Sequence, residues 1–305
     1  MKVSLDLNAL LEHGEITQIE FDKFNRLAAH GTTSLAFNIL IAFGVIAVSG
    51  ASLALLPSTN TAIFLGLMIA GLGIALISSD NTQWRVLANI CVLVGALLAG
   101  GGVVAIGKGS VGSFLLIAAA FTGAGILARS GLLIALAVLA LSACIGARTW
   151  YKHASYFLAI QEPTLTVGLF TTLAIVAYQI SKRVPSEYEG LALMGARTSV
   201  FLVNFGFWVG SLWGDLTQQG NFLASRLVFS ALWAIALGAT GVWAWSQNRR
   251  WVVNVVAVFG AIHFYSQWFE RLGASPGSVL TAGGVALGFA LGLRALNAKL
   301  TQEGN

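Results

Sequence analysis

Residues 86–106 read VLANICVLVGALLAGGGVVAI, a run without a single charged side chain. A helix needs roughly 20 apolar residues to cross a hydrocarbon core about 30 Å thick, because each residue adds about 1.5 Å along the helix axis. Similar segments follow one another from residue 34 to residue 296, and the whole chain is 57% hydrophobic and only 10% charged. Soluble domains carry about 25% charged residues. The sequence therefore predicts an all-α, polytopic membrane protein.

The apolar runs predict a bundle of about ten transmembrane helices. We place these helices at residues 34–56, 60–78, 86–106, 110–128, 130–147, 164–181, 191–213, 226–245, 251–269 and 278–296. The chain then has three parts: a cytosolic helical hairpin over 1–33, the transmembrane bundle over 34–296, and a short cytosolic tail over 297–305. Residues 154–160 are also apolar, and a half-helix that is interrupted before Pro163 is an open alternative there.

The distribution of basic residues predicts the orientation of the chain in the membrane. With ten spans and a cytosolic N-terminus, 12 Lys and Arg residues fall on one face and 5 on the other. Basic residues are enriched in cytoplasmic loops, so both termini are expected in the cytosol. The same positions, one or two basic residues at each span end, account for the net charge of +5 without a nucleic-acid partner.

Residues 4–31 predict a small helical hairpin ahead of the first span. The first helix is expected to end at Gly14, and the segment Thr17–Glu20 has the pattern of a capping box that starts the second helix. Gly31 is expected to end that second helix. Two roles remain open: the hairpin lies on the membrane and its own loops, or its apolar residues bind a protein partner or a second copy.

A family resemblance rests on the segment from Leu10 to Phe21, LLEHGEITQIEF. This segment resembles the Gly-x-Ile-Thr-x-x-Glu hairpin that opens a family of bacterial polytopic membrane proteins of unknown function. The stretch RWVVN at residues 250–254 and the glycine-rich last span are similar to the same family. The resemblance implies a multi-pass protein of the bacterial inner (cytoplasmic) membrane. Because the family has no established activity, the resemblance implies no catalytic residue.

Two predicted spans carry glycine at every fourth position. The two sets are Gly206, Gly210 and Gly214 in the seventh span, and Gly284, Gly288 and Gly292 in the tenth. Glycine stripes let helix backbones approach closely in lipid, where no hydrophobic force distinguishes a neighbouring helix from the acyl chains. Packing within one chain and contact between two copies are both compatible with these stripes.

Polar side chains inside apolar spans are costly, so they are the best candidates for a binding site. In the ninth span His263, Gln267 and Glu270 lie at i, i+4 and i+7 and share one helix face, and Trp268 lies beside them. The same membrane face is predicted to hold further members of a candidate ligand-binding site: His153, Glu162, Trp213 and Asp215. The alternative is that these groups only cap helices and lie among lipid headgroups.

The seventh span contributes a second pair of candidate ligand-binding residues. Arg197 and Asn204 are seven residues apart and therefore lie on the same helix face. A guanidinium group and an amide could together hold an anion or a carboxylate. The alternative for Arg197 is that its long side chain reaches the membrane interface.

The sequence predicts no catalytic residue, no metal site and no cofactor. Cys91 and Cys144 both lie in apolar segments, and the chain contains neither Cys-x-x-Cys nor His-Glu-x-x-His. Three hypotheses remain: a small-molecule carrier or ligand-binding membrane protein, a scaffold or assembly factor that acts through the hairpin, and an intramembrane enzyme. The first is favoured slightly over the second, and the third has the weakest support.

Overall fold

The computed structural model describes residues 10–11, 14–79, 84–146, 162–216, 222–247 and 249–303, and the protein is almost entirely helical within these ranges. The helices are α1 (Gln18–Leu55), α2 (Thr59–Ser78), α3 (Arg85–Ile106), α4 (Val111–Leu127), α5 (Gly131–Gly146), α6 (Pro163–Ser181), α7 (Ser186–Trp213), α8 (Arg226–Ser246), α9 (Arg250–Leu272) and α10 (Pro276–Glu303). Two short antiparallel strands, β1 (Asp215–Leu216) and β2 (Phe222–Ala224), lie between α7 and α8.

Each predicted span overlaps one of these helices, and the all-α, multi-pass membrane architecture is confirmed in this coarse form. Among the described residues, six helices are long and apolar enough to cross a membrane: α2, α3, α6, α7, α8 and α9. Shorter apolar helical segments occupy Leu40–Leu55 at the end of α1, Val111–Leu127 and Gly131–Ile145. The count of ten spans therefore stays a prediction.

The helices expose large apolar side chains over much of their surface. Phe43 is 68% exposed and Leu280 is 78% exposed. Monomeric soluble proteins rarely expose contiguous apolar surface of this kind. In a bilayer the same side chains contact acyl chains, so the exposed surface fits the predicted contact with lipid.

The start of α1 follows the sequence prediction at the level of single hydrogen bonds. Gly14 has φ +70°, and the Glu15 amide donates to the Leu10 carbonyl at 2.9 Å, which is the pattern that ends a helix at a left-handed glycine. The Thr17 and Glu20 side chains form the predicted capping box. Hydrogen bonds from the Thr17 amide and hydroxyl hold the pKa of the Glu20 carboxyl below its usual value.

The predicted stop at Gly31 is wrong, because α1 continues through it to Leu55 without a break. Glycine inside a helix costs only about 1 kcal/mol relative to alanine, and no proline follows within the first span to break the helix. The predicted boundary between residues 33 and 34 therefore lies inside one continuous helix of 38 residues. Most of the first hairpin helix lies outside the described residues.

The chain divides into two units, residues 1–137 and 138–305, and the division falls within α5. In the first unit, α2 and α3 pack with their backbones almost in contact. A Cβ atom added at Gly66 would lie 2.7 Å from the Gly95 carbonyl oxygen, and one at Gly73 would lie 2.6 Å from the Ala88 carbonyl oxygen. Gly102 completes the pattern, since its Cβ would meet the side chain of Ile63. Glycines seven residues apart on both helices therefore make this helix pair possible.

The second unit has two clusters of buried apolar side chains. Val138 and Ile145 of α5 pack with Phe170 of α6 and Leu202 of α7. The other cluster joins α7, α8 and α9, and its buried members are Trp233, Leu237 and Phe259. The candidate site lies next to this second cluster.

We expect Gly66→Ala to destabilise the protein and Gly71→Ala to leave its stability unchanged or slightly raised. A Cβ at Gly66 would overlap the α3 backbone, and overpacking of this kind costs about 1–3 kcal/mol. Gly71 lies in the same helix with open space around it, so alanine there gains helix propensity of up to about 1 kcal/mol. Thermal unfolding of the purified variants in detergent, followed by circular dichroism, measures both effects. Equal effects of the two substitutions would contradict the close packing of α2 and α3.

Candidate functional site

Three of the predicted site residues, His263, Gln267 and Trp268, lie together on one side of α9. They line an open cavity of about 450 Å³ between α8 and α9, which we call the α8–α9 cavity. Its complete lining is Ser230, His263, Phe264, Gln267, Trp268, Arg271 and Leu272. The helical period explains this arrangement, since the residues of α9 that line it fall within three consecutive turns.

His263 has one polar atom that the structure leaves unpaired. Its imidazole ring packs edge-to-face on Trp233, with ring centroids 4.8 Å apart. Its Nδ1 atom is buried, and no described residue forms a hydrogen bond with it. Leaving a buried polar atom unpaired costs about 1–3 kcal/mol, and buried polar groups in proteins are nearly always paired. His263 therefore lines the cavity and also carries a buried polar atom that lacks a partner among the described residues.

The two neighbouring site residues are fixed by hydrogen bonds to other helices. Gln267 donates from Nε2 to Oγ of Ser211 on α7 at 3.3 Å, and Trp268 donates from Nε1 to Oγ of Ser278 on α10 at 3.0 Å. These bonds orient the two side chains and leave their remaining surface to line the cavity.

Charged residues near the cavity differ in whether they have a partner. Glu270 and Arg226 are exposed and form an ion pair with 3.6 Å between Oε1 and Nη1. Arg271 lines the cavity, and the described residues provide no ion-pair partner for it. Glu270 itself does not line the cavity.

Asp215 and Glu162 both lie at the start of α6, and neither lines the cavity. Asp215 is only 4% exposed, and its Oδ2 accepts a hydrogen bond from the Thr164 amide at 3.0 Å. Glu162 is the N-cap residue of α6, but its side chain makes no capping bond. Asp215 supplies the missing cap from 51 positions away, and its negative charge is favourable at the positive end of the helix dipole.

Asn204 is buried and is already used in a contact between helices. Its Oδ1 accepts from Nε1 of Trp233 at 3.0 Å, and its Nδ2 donates to the Val200 carbonyl at 2.9 Å. Asn204 and Trp233 also line a second, mainly apolar cavity of about 400 Å³ among α6, α7, α8 and α9. The other polar residues of this second cavity are Thr171 and Thr240.

The remaining predicted site residues lie elsewhere. Arg197 is exposed, and its guanidinium carbon lies 5.1 Å above the centre of the Trp251 ring, a cation–π contact between α7 and α9. Arg197 and Asn204 therefore do not meet in one anion site. Trp213 is exposed at the end of α7, and His153 lies outside the described residues.

The predicted glycine stripe of α7 serves three different purposes. Cβ atoms added at Gly206 and Gly210 would lie 3.0 Å from Val167 of α6 and 2.6 Å from the Phe229 ring of α8. Gly214 ends α7 with φ +74°, a conformation that other residues rarely adopt.

The stripe of α10 behaves differently from that of α7. No atom of the described residues lies within 4 Å of a Cβ added at Gly284 or Gly288. Packing against the described residues therefore does not explain these two glycines, and the environment of Gly292 lies outside what the structure describes.

Sequence reasoning did not select Ser230, Trp233 or Arg271 for the site. Trp233 carried a signal, because it lies in the middle of a predicted span whereas interfacial tryptophans lie at span ends. Arg271 was counted only for topology, although it follows His263 and Gln267 at the same four-residue spacing. Within the described residues, no group of three His, Cys, Asp or Glu could hold a metal ion.

We expect Asp215→Ala to destabilise the protein by about 0.5–2 kcal/mol, the usual cost of losing a helix cap. Asp215→Asn keeps an oxygen acceptor for the Thr164 amide, so this variant should lose clearly less stability than Asp215→Ala. Ser58→Ala removes an ordinary cap at the start of α2 and serves as the reference for the size of the effect. Thermal unfolding in detergent measures all three. An Asp215→Ala variant as stable as the parent would refute the capping role.

Comparisons of the chain with protein-family models, with curated proteins and with solved structures give no match. The resemblance to a bacterial membrane family therefore rests on the residues from Leu10 to Phe21 and on the C-terminal spans, and it stays a prediction.

Proposed function

We propose that this membrane protein binds a small organic molecule in the α8–α9 cavity, as a carrier or as a ligand-binding membrane protein. The observation that carries the proposal is the buried, unpaired Nδ1 of His263 beside this cavity. A ligand that hydrogen-bonds to Nδ1 would remove the cost of leaving it unpaired.

The size and lining of the cavity support the same proposal. Small-molecule sites have volumes of about 300–1,000 Å³ and are mainly apolar, with a few placed polar groups. The α8–α9 cavity has about 450 Å³, apolar walls at Phe264 and Leu272, and polar groups at Ser230, His263 and Gln267. The other buried polar residues of the predicted site, Asn204 and Asp215, already have hydrogen-bond partners.

We expect His263→Phe to abolish ligand binding while keeping or raising the stability of the protein. Phenylalanine preserves the ring that packs on Trp233 and removes the unpaired nitrogen, so the fold should not suffer. The measurement is the thermal stabilisation of nanodisc-embedded protein by phenylbutyrate, phenylbutanol and phenylbutylamine, each compared with empty nanodiscs. A ligand at a hundred times its Kd stabilises the folded state by about 2.7 kcal/mol.

The control for this experiment is Thr240→Val, which removes a polar group from the second cavity and leaves the α8–α9 cavity unchanged. It should bind the same probe as the parent. If no probe stabilises the parent protein, or if His263→Phe binds as well as the parent, the proposed function is wrong.

The finer topology belongs to the same proposal: ten spans, both termini in the cytosol, and residence in the bacterial inner membrane. The α8–α9 cavity then opens on the extracytoplasmic side. The excess of Lys and Arg on the opposite face, 12 against 5, supports this orientation.

We expect single cysteines at Gln247 and Ala274 to label from opposite sides of the membrane, in a background without Cys91 and Cys144. These positions lie at the two ends of α9, which is long enough to cross the bilayer. With an impermeant maleimide on intact bacterial cells, Ala274→Cys should react directly and Gln247→Cys only after lysis. Reaction of both from the same side would show that α9 does not cross the membrane.

The scaffold hypothesis is supported by one observation on α1. Ile19 is 81% exposed and Phe24 is also exposed, and both lie before the apolar segment Leu40–Leu55. Two exposed apolar side chains next to a helix start suit a protein partner or a second copy. A scaffold would work unchanged with His263→Phe, so the variant already described separates the two hypotheses.

A further inference from the structure

We propose that the ligand of the α8–α9 cavity is a short amphipathic organic anion, whose charged group pairs with Arg271 and whose length is limited by Trp233. This inference rests on the proposed function, since it names the class of molecule that the same cavity takes.

The charge of the cavity selects an anion. Arg271 is the one charged side chain in its lining, and no described acidic residue pairs with it. The acidic neighbour in sequence, Glu270, is turned to Arg226 instead. A carboxylate or a phosphate can form two parallel hydrogen bonds with a guanidinium group, which is the strongest pairing that an arginine offers.

The walls of the cavity select an organic molecule rather than an inorganic ion. Phe264, Trp268 and Leu272 give it broad apolar surface, which an inorganic anion could not use. On the same face of α9, Gln267 lies one helical turn before Arg271 and His263 lies two turns before it. A ligand with its charge at Arg271 would therefore extend along the cavity towards His263.

Trp233 lies behind His263, which lines the end of this cavity away from Arg271. Its indole packs on His263, which lines the α8–α9 cavity, and it also lines the second cavity, to which His263 does not contribute. Trp233 is fully buried, and its hydrogen bond to Asn204 fixes the plane of the indole. The His263 and Trp233 rings therefore stand together between the two cavities, and they limit the length of a ligand that enters beside Arg271.

The test of charge selection compares phenylbutyrate with its neutral and cationic analogues, phenylbutanol and phenylbutylamine, by equilibrium binding to nanodisc-embedded protein. Phenylbutyrate should bind about tenfold or more tightly than the other two, and Arg271→Gln should remove that preference, because one charged hydrogen-bond pair corresponds to at least about a tenfold change in affinity. The control is the double variant Arg226→Gln with Glu270→Gln, which removes the adjacent ion pair without changing the net charge. It should bind like the parent.

The test of the length limit compares phenylbutyrate with phenyloctanoate in Trp233→Ala. Removing the indole opens space behind His263 towards the second cavity, so the affinity for phenyloctanoate relative to phenylbutyrate should rise about tenfold or more. Trp233→Phe keeps a ring at the wall and Leu237→Ala enlarges only the second cavity, so neither should change this ratio. Trp233→Leu serves in place of Trp233→Ala if the alanine variant does not fold.

The outcomes separate this inference from the proposed function. If phenylbutanol or phenylbutylamine binds as well as phenylbutyrate and the binding needs His263, the cavity is a ligand site but its ligand is not an anion. If the preference for phenylbutyrate survives Arg271→Gln, or the length ratio is the same in Trp233→Ala and Trp233→Phe, the inference is wrong. If His263→Phe also leaves binding unchanged, the proposed function fails with it.

Discussion

The absence of water in the hydrocarbon core is the constraint on which this structure depends. Each backbone amide and carbonyl must find a partner inside the chain, and a helix provides one without help from its neighbours. The helices then associate without a hydrophobic force, because lipid is as apolar as they are. Close backbone approach and a few hydrogen bonds between polar groups must therefore hold the helices together. The first unit uses close approach, with Gly66 and Gly95 bringing α2 and α3 together.

The second unit relies on polar bonds between helices. Among the described residues of this unit, side-chain hydrogen bonds cross between helices from Trp233 to Asn204, from Trp208 to Ser266, from Gln267 to Ser211 and from Trp268 to Ser278. Three of the four have an indole N–H as the donor, which suits a lipid environment because the indole is large and apolar except at that atom. Asp215 adds a fifth bond, to the backbone of α6. These polar residues of the second unit therefore serve to hold neighbouring helices together.

The sequence predicted the helices well because their signals are local. The starts of α2, α6 and α8 lie within one residue of the predicted span starts, where Ser58, Pro163 and Ser225 provide a cap or the first position of the helix. The error at Gly31 has a local cause too, since a glycine stops a helix only when the chain can turn after it. The glycine contacts of α2 and α3 were missed because their spacing is seven residues rather than four.

Contacts between distant parts of the chain could not be predicted in this way. His263, Gln267 and Trp268 could be placed side by side from the sequence because all three lie on one helix, and they line one cavity. Asp215 was assigned to the same group, but its partner Thr164 lies 51 positions away and nothing in the sequence pattern pairs them. The same is true of Trp233, whose neighbours Asn204 and His263 come from two other helices.

Trp233 connects the structural bonds to the candidate site. Asn204 of α7 holds the indole of α8 by one hydrogen bond, and the indole packs against the His263 ring of α9 in a T-shaped contact. A binding residue works best when its rotamer is fixed by packing and by the hydrogen bonds of its neighbours. His263 receives that support on its ring while Nδ1 stays unpaired. The unpaired Nδ1 thus lowers the stability of the fold, while the His263 ring is held in one orientation. A binding group with a fixed orientation loses little entropy when a ligand binds.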